Sequence, residues 1–153
     1  MENISWAPRL ANMTLKIIGY LLYLIIFTYC YFILNRRMGN KWILIGYPLL
    51  FLASIYPIKI WFDYVRPIYN QAFTDSWLKI LLMSVAGFCL FNFIYGIINL
   101  MVGAQVSFHS RYGKPKLNLV KFVLKNADKI RSGYHLFFYT GGVFTVGVCF
   151  LKY

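Results

Sequence analysis

Apolar positions in this chain are bunched into four long blocks instead of being spread among polar ones. The first runs from about Ile17 to Leu34 as IIGYLLYLIIFTYCYFIL, 18 residues without a charge. A helix of that length covers a hydrocarbon core of about 30 Å. It exceeds the apolar core of a secretory signal, and Asn35, Arg36 and Arg37 follow it where a small-residue cleavage site would stand. It therefore reads as an uncleaved first span. The second block, about Trp42 to Phe62, is interrupted only by Lys59 and holds Pro48 and Pro57. Proline is tolerated in a membrane helix and commonly kinks it. Lys59 lies one turn from the end and can snorkel to the head groups, beside Trp61 in the interfacial belt. The third block, about Leu78 to Gly103, is the longest, with Trp77 and Lys79 at its start. The fourth, about Tyr134 to Leu151, contains Gly141, Gly142 and Gly147.

This pattern predicts an all-α integral membrane protein. Its single polytopic domain has four transmembrane helices at about 17–34, 42–62, 78–103 and 134–151. The links are a tight basic turn from Asn35 to Lys41, a loop from Asp63 to Trp77, and a polar stretch from about Gln105 to Ser132. Within that stretch, Leu117, Val120, Leu124 and Ala127 recur at helical spacing, and Lys121, Lys125 and Lys129 form a row on another face. A short basic amphipathic helix over Lys116–Arg131 is expected, lying in the membrane interface and breaking at Ser132–Gly133. Lys121, Lys125 and Lys129 then dock to anionic lipid or to a partner, or serve only as a topogenic basic loop.

Composition agrees with the pattern. Of 153 residues, 60% are hydrophobic and 13% charged, whereas soluble domains carry about 25% charged residues. The net charge of +12 would suggest nucleic acid in a soluble protein. Here no nucleic-acid motif accompanies it, and the cations sit between apolar blocks, where they set orientation. Arg36, Arg37, Lys41, Arg111, Lys114, Lys116, Lys121, Lys125, Lys129 and Arg131 fall on one side. Arg9, Lys16, Lys59, Arg66, Lys79 and Lys152 fall on the other, with three of the four acids, Glu2, Asp63 and Asp75. The positive-inside rule places the first group in the cytoplasm and both termini outside. Arg9 and Lys16, ahead of the first span, pull the other way. Abundant Ile, Lys, Asn, Tyr and Phe with little Ala suggests an AT-rich gene, compatible with mobile bacterial DNA such as a plasmid.

Candidate chemistry is sparse. Cys30, Cys89 and Cys149 fall in three different blocks without a CxxC pair, as buried free thiols do. His109 and His135 lack neighbours at metal-ligand spacing. Asp128 and His135 share a helical face only if the helix survives Ser132–Gly133. No acid lies deep in a block, as the relay of a proton-coupled antiporter requires. No GxSxG, HExxH or phosphate-cradling glycine loop is present. The expected cofactor is none, and the expected partners are membrane lipid and another integral membrane protein.

Two constellations remain. In the third block Cys89, Asn92 and Gly96 share one face, as residues that pack membrane helices closely do. In the second loop Asp63, Tyr64, Arg66, Tyr69 and Phe73 form an aromatic, charged surface that suits a protein contact or the head-group belt. Asp63 and Arg66, three apart, can pair on a helical turn that Pro67 then stops. The resulting expectation is a non-enzymatic inner-membrane protein that recognises another membrane protein. It is either an immunity or exclusion factor against a toxin, phage or conjugation machine, or an accessory subunit of a complex. A small oligomeric transporter or channel is the alternative. Breaks at Pro48, Pro57 and Gly141–Gly142 favour it, and Ser54, Ser84, Thr140 and Thr145 offer hydroxyls.

Overall fold

The computed structural model describes residues 6–112 and 118–153, with side chains described from Asn12 onward, Leu119 excepted. Its elements are α1 (Trp6–Tyr29), a π-helical turn (Cys30–Leu34), α2 (Asn35–Arg37), α3 (Asn40–Val65), α4 (Gln71–Tyr112) and α5 (Asn118–Lys152). Four continuous helical stretches are long and apolar enough to cross a membrane: Asn12–Arg37, Asn40–Val65, Gln71–Tyr112 and Val120–Lys152. The architecture is that of a multi-pass integral membrane protein. No strand occurs among the described residues. Helices satisfy their own backbone hydrogen bonds, which the bilayer interior requires.

The central helix is α4, with α3 and α5 packed along it and α1 lying against α5. Two ends result. One carries the start of α1, the α3–α4 turn at residues 66–70 and the end of α5. The other carries the Met38–Gly39 link and the adjoining ends of α4 and α5, and is called the hairpin end below.

The helices outrun the apolar blocks. At a rise of about 1.5 Å per residue, the 42 residues of α4 extend about 63 Å and the 35 of α5 about 52 Å. A bilayer with its head groups is about 40–45 Å thick. Beyond the apolar blocks, residues 104–112 of α4 and 118–133 of α5 continue as the two arms of a helical hairpin. Helices of this length tilt in the bilayer or extend past it.

This corrects the expected short basic helix. Lys116 and Leu117 lie outside the described residues. From Asn118 onward the segment belongs to α5, which runs through Ser132 and Gly133 without a break. Gly133 has no neighbour within 4 Å of a would-be Cβ, and a single glycine costs a helix only about 1 kcal/mol. The segment is held as part of α5, which packs along α4 and buries Val120. The 63–77 loop is shorter than its polarity suggested, because α3 continues to Val65 and α4 starts at Gln71. Asn70 caps α4: its Oδ1 accepts the Phe73 N–H at 2.8 Å. Pro48 and Pro57 lie inside α3, which stays helical through both.

Close approach is set by small residues. A Cβ at Gly96 would lie 2.8 Å from Ile43 Cγ2, and one at Gly87 2.8 Å from Val146 Cγ2. A Cβ at Gly147 would lie 2.7 Å from the Tyr20 hydroxyl oxygen. In lipid no hydrophobic force drives helices together, so such contacts and interhelical hydrogen bonds carry association.

Candidate functional site

The buried polar groups of the bundle converge on one face of α4. Their placement begins in the first span. Residues four apart on an α-helix drift by about 40° per step. The wider π turn rotates less per residue and offsets that drift. Phe27, Tyr31 and Asn35 all therefore face the core and are buried. The Asn35 N–H closes the π turn on the Cys30 carbonyl.

Three helical stretches then meet. Asn35 Nδ2 donates to Asn92 Oδ1 at 2.6 Å. The Tyr47 hydroxyl, from α3, donates to Asn35 Oδ1 at 2.8 Å. Asn92 Nδ2 donates to the Phe88 carbonyl at 2.8 Å, one turn back along α4. Asn35 and Asn92 are 2% and 0% exposed. Each carboxamide both donates and accepts, which an Asn inside a bilayer needs. Cys89 is buried one turn before Asn92, and Gly96 one turn after it admits α3 through Ile43 and Leu44.

Two turns along α4 toward the hairpin end lies a second layer. Asn99 Oδ1 and His135 Nε2 are 3.2 Å apart. The His135 ring stacks on Tyr95 with centroids 4.0 Å apart, and the Tyr31 hydroxyl donates to the His135 carbonyl at 3.0 Å. His135 Nδ1 and Arg131 Nε are buried without a hydrogen-bond partner. Asp128 pairs with Arg131 at 3.2 Å, so the Asp128–His135 couple does not form. Below this layer, the aromatic cluster of Phe27, Tyr31, Phe32 and Tyr139 fills the bundle, with Phe27 stacked on Tyr139 at 5.5 Å. The Tyr139 and Thr28 hydroxyls pair at 2.8 Å.

The other candidate residues lie at the ends. Asp63 and Tyr64 are exposed on the last turn of α3, Arg66 and Tyr69 on the α3–α4 turn, and Phe73 is half-buried on α4. Asp63 and Arg66 form no ion pair; the Arg66 guanidinium lies 5.8 Å from the Phe62 ring centroid instead. Tyr69 stacks on Phe73, and Phe73 tilts against Trp77. An aromatic ladder thus leads from the turn into α4. At the opposite end Lys121, Lys125 and Lys129 are exposed along one edge of the hairpin, rising about 12 Å over eight residues.

Among the described residues no three His, Cys, Asp or Glu side chains cluster so as to hold a metal ion, and Cys30, Cys89 and Cys149 are free thiols. Spacing along the chain did not reveal Asn35 as the partner of Asn92, nor Tyr47 as the partner of Asn35. Asn35 sits at the edge of a basic turn, where an Asn reads as solvated, and only the π turn brings it inward. Asn70 too went unmarked, although an Asn directly before a helix is a capping signal. No family model matches this chain, and neither a curated protein nor a solved structure shows significant similarity to it.

Proposed function

We propose that this protein is a non-enzymatic component of the bacterial inner membrane that acts by recognising another integral membrane protein. Its role is that of an immunity or exclusion factor, or of an accessory subunit of a membrane complex. One observation carries the reading. The carboxamides inside the bundle pair with one another and with Tyr47 and Phe88, while the end of α3 and the α3–α4 turn present Asp63, Tyr64, Arg66 and Tyr69 to the exterior. Tyr64 is 71% exposed. Aromatic residues and Arg in one patch are what membrane-proximal protein contacts enrich. The positive-inside rule puts this turn on the outer face and the basic hairpin in the cytoplasm. The lysine row then faces the cytoplasm, where it docks to a partner or to anionic lipid.

A photo-crosslinking amino acid at Tyr64 or Tyr69 tests this in native bacterial membranes. The expected result is one discrete protein adduct, absent when the probe replaces lipid-facing Leu22. An outcome with no turn-specific adduct, together with ion flux through liposomes holding the pure protein, would overturn recognition in favour of a pore.

A further inference from the structure

We propose that the groove between α1 and α5 binds one anionic phospholipid of the bilayer, an acyl chain along the groove and the head-group phosphate at Lys16. This assignment is independent of the recognition role.

The groove has a volume of about 670 Å³, within the range of about 300–1,000 Å³ that ligand sites occupy. Ile17 and Leu21 form one wall, and Phe144, Val148 and Leu151 the other. The Tyr20 ring lies over Gly147, and its hydroxyl donates to the Val143 carbonyl at 2.9 Å, so this polar atom is satisfied. The Thr140 hydroxyl is likewise engaged by backbone carbonyls of its own helix. Asn12 adds a polar side chain to the lining, its Oδ1 accepting from Trp77 Nε1 at 3.3 Å. Apart from Asn12 and Lys16, what remains facing the groove is apolar.

Its length decides what fits. From Thr140 to Leu151 is eleven residue steps, about 16 Å along α5. Half of a 30 Å hydrocarbon core is about 15 Å. The groove therefore runs one leaflet deep, from the interface to the midplane, which is the reach of an acyl chain.

Charge decides the head group. Lys16 lines the groove, and Lys152 ends α5 next to Leu151. The one ion pair among the described residues is Asp128–Arg131, at the other end of the bundle, so neither lysine is paired with a described carboxylate. Lys152 lies over the Tyr153 ring at 5.6 Å, as does Lys79 at 5.1 Å. An ammonium group at head-group level above an apolar leaflet-deep slot complements a phosphodiester that carries a net negative charge.

The experiment uses the full chain in nanodiscs of equal phosphatidylglycerol and phosphatidylcholine with identical acyl chains. Native mass spectrometry reads which lipid stays bound. One phosphatidylglycerol is expected in preference. The preference should fall about fivefold in Lys16→Gln, persist in Lys16→Arg, and be unchanged in the hairpin variant K121Q/K125Q/K129Q. A wild-type preference in Lys16→Gln, or an equal loss in the hairpin variant, overturns the site. A phosphatidylglycerol with a photoreactive acyl chain supplies the second reading. Labels should concentrate on residues 13–21 and 143–151. Equal labelling of the lipid-facing stretch 49–56 of α3 overturns the assignment of the chain to this groove.

Discussion

Asn35 and Asn92 face each other across the first and third spans with their carboxamides 2.6 Å apart. Fifty-seven residues of chain separate them, and the π turn is what brings Asn35 to the contact. The pair fixes the register of the first span against α4. A one-residue rotation would leave two amide groups without partners in a low-dielectric interior.

A double-mutant cycle measures that pairing. Asn35→Ala and Asn92→Ala should each destabilise the bundle by about 1–2 kcal/mol. The coupling between them should be about 0.6–1.7 kcal/mol, the range for hydrogen bonds between membrane helices. Unfolding in mixed micelles reads all four values. Strict additivity would mean that the two carboxamides do not support each other.

Glycines separate into two groups that alanine scanning can tell apart. Gly96→Ala forces a Cβ to 2.8 Å from Ile43, which is fully buried and β-branched and cannot swing aside. A loss of about 1–3 kcal/mol is expected from overpacking. Gly133→Ala meets open space in a continuous helix and should gain about 0.5–1 kcal/mol. Thermal melting in detergent gives both signs, and a stabilising Gly96→Ala would refute the close α3–α4 approach.

The hairpin makes a prediction about depth. If this part of α5 extends past the bilayer, nitroxides at Lys121, Lys125 and Phe122 all report water accessibility. A helix lying flat in the interface would instead bury Phe122 among lipid tails and expose the lysines. Power-saturation measurements with a polar and an apolar relaxation agent distinguish the two arrangements.

Sidedness follows from the same geometry. A cysteine at Lys125 and one at Tyr69 should react with an impermeant maleimide from opposite faces. In cells of the proposed orientation Tyr69→Cys labels from outside, and Lys125→Cys labels only after inversion of the vesicles. Cys89 and Cys149 are buried and should contribute little background. Labelling of Lys125→Cys in intact cells would reverse the orientation.

The four spans were legible in the sequence because lipid imposes one rule on every residue it touches. Inside lipid, uncharged runs of 17 residues and more satisfy their backbones as helices. Hydropathy, however, reports where lipid ends and not where a helix ends. It therefore cut α4 and α5 short, made a separate short helix of residues that belong to α5, and made a loop of residues 71–77, which open α4. Helix continuity past the bilayer is decided by packing of α5 on α4, which spacing along one chain does not contain. The same limit applies inside the bundle. Cys89, Asn92 and Gly96 could be placed on one face from their spacing, but the partners of that face could not. Asn35 needed a π turn, Tyr47 needed the neighbouring helix, and the leaflet-deep groove needed two helices distant in sequence to lie side by side. Local chemistry fixed which segments enter the membrane; only the way they pack decided which polar atoms meet.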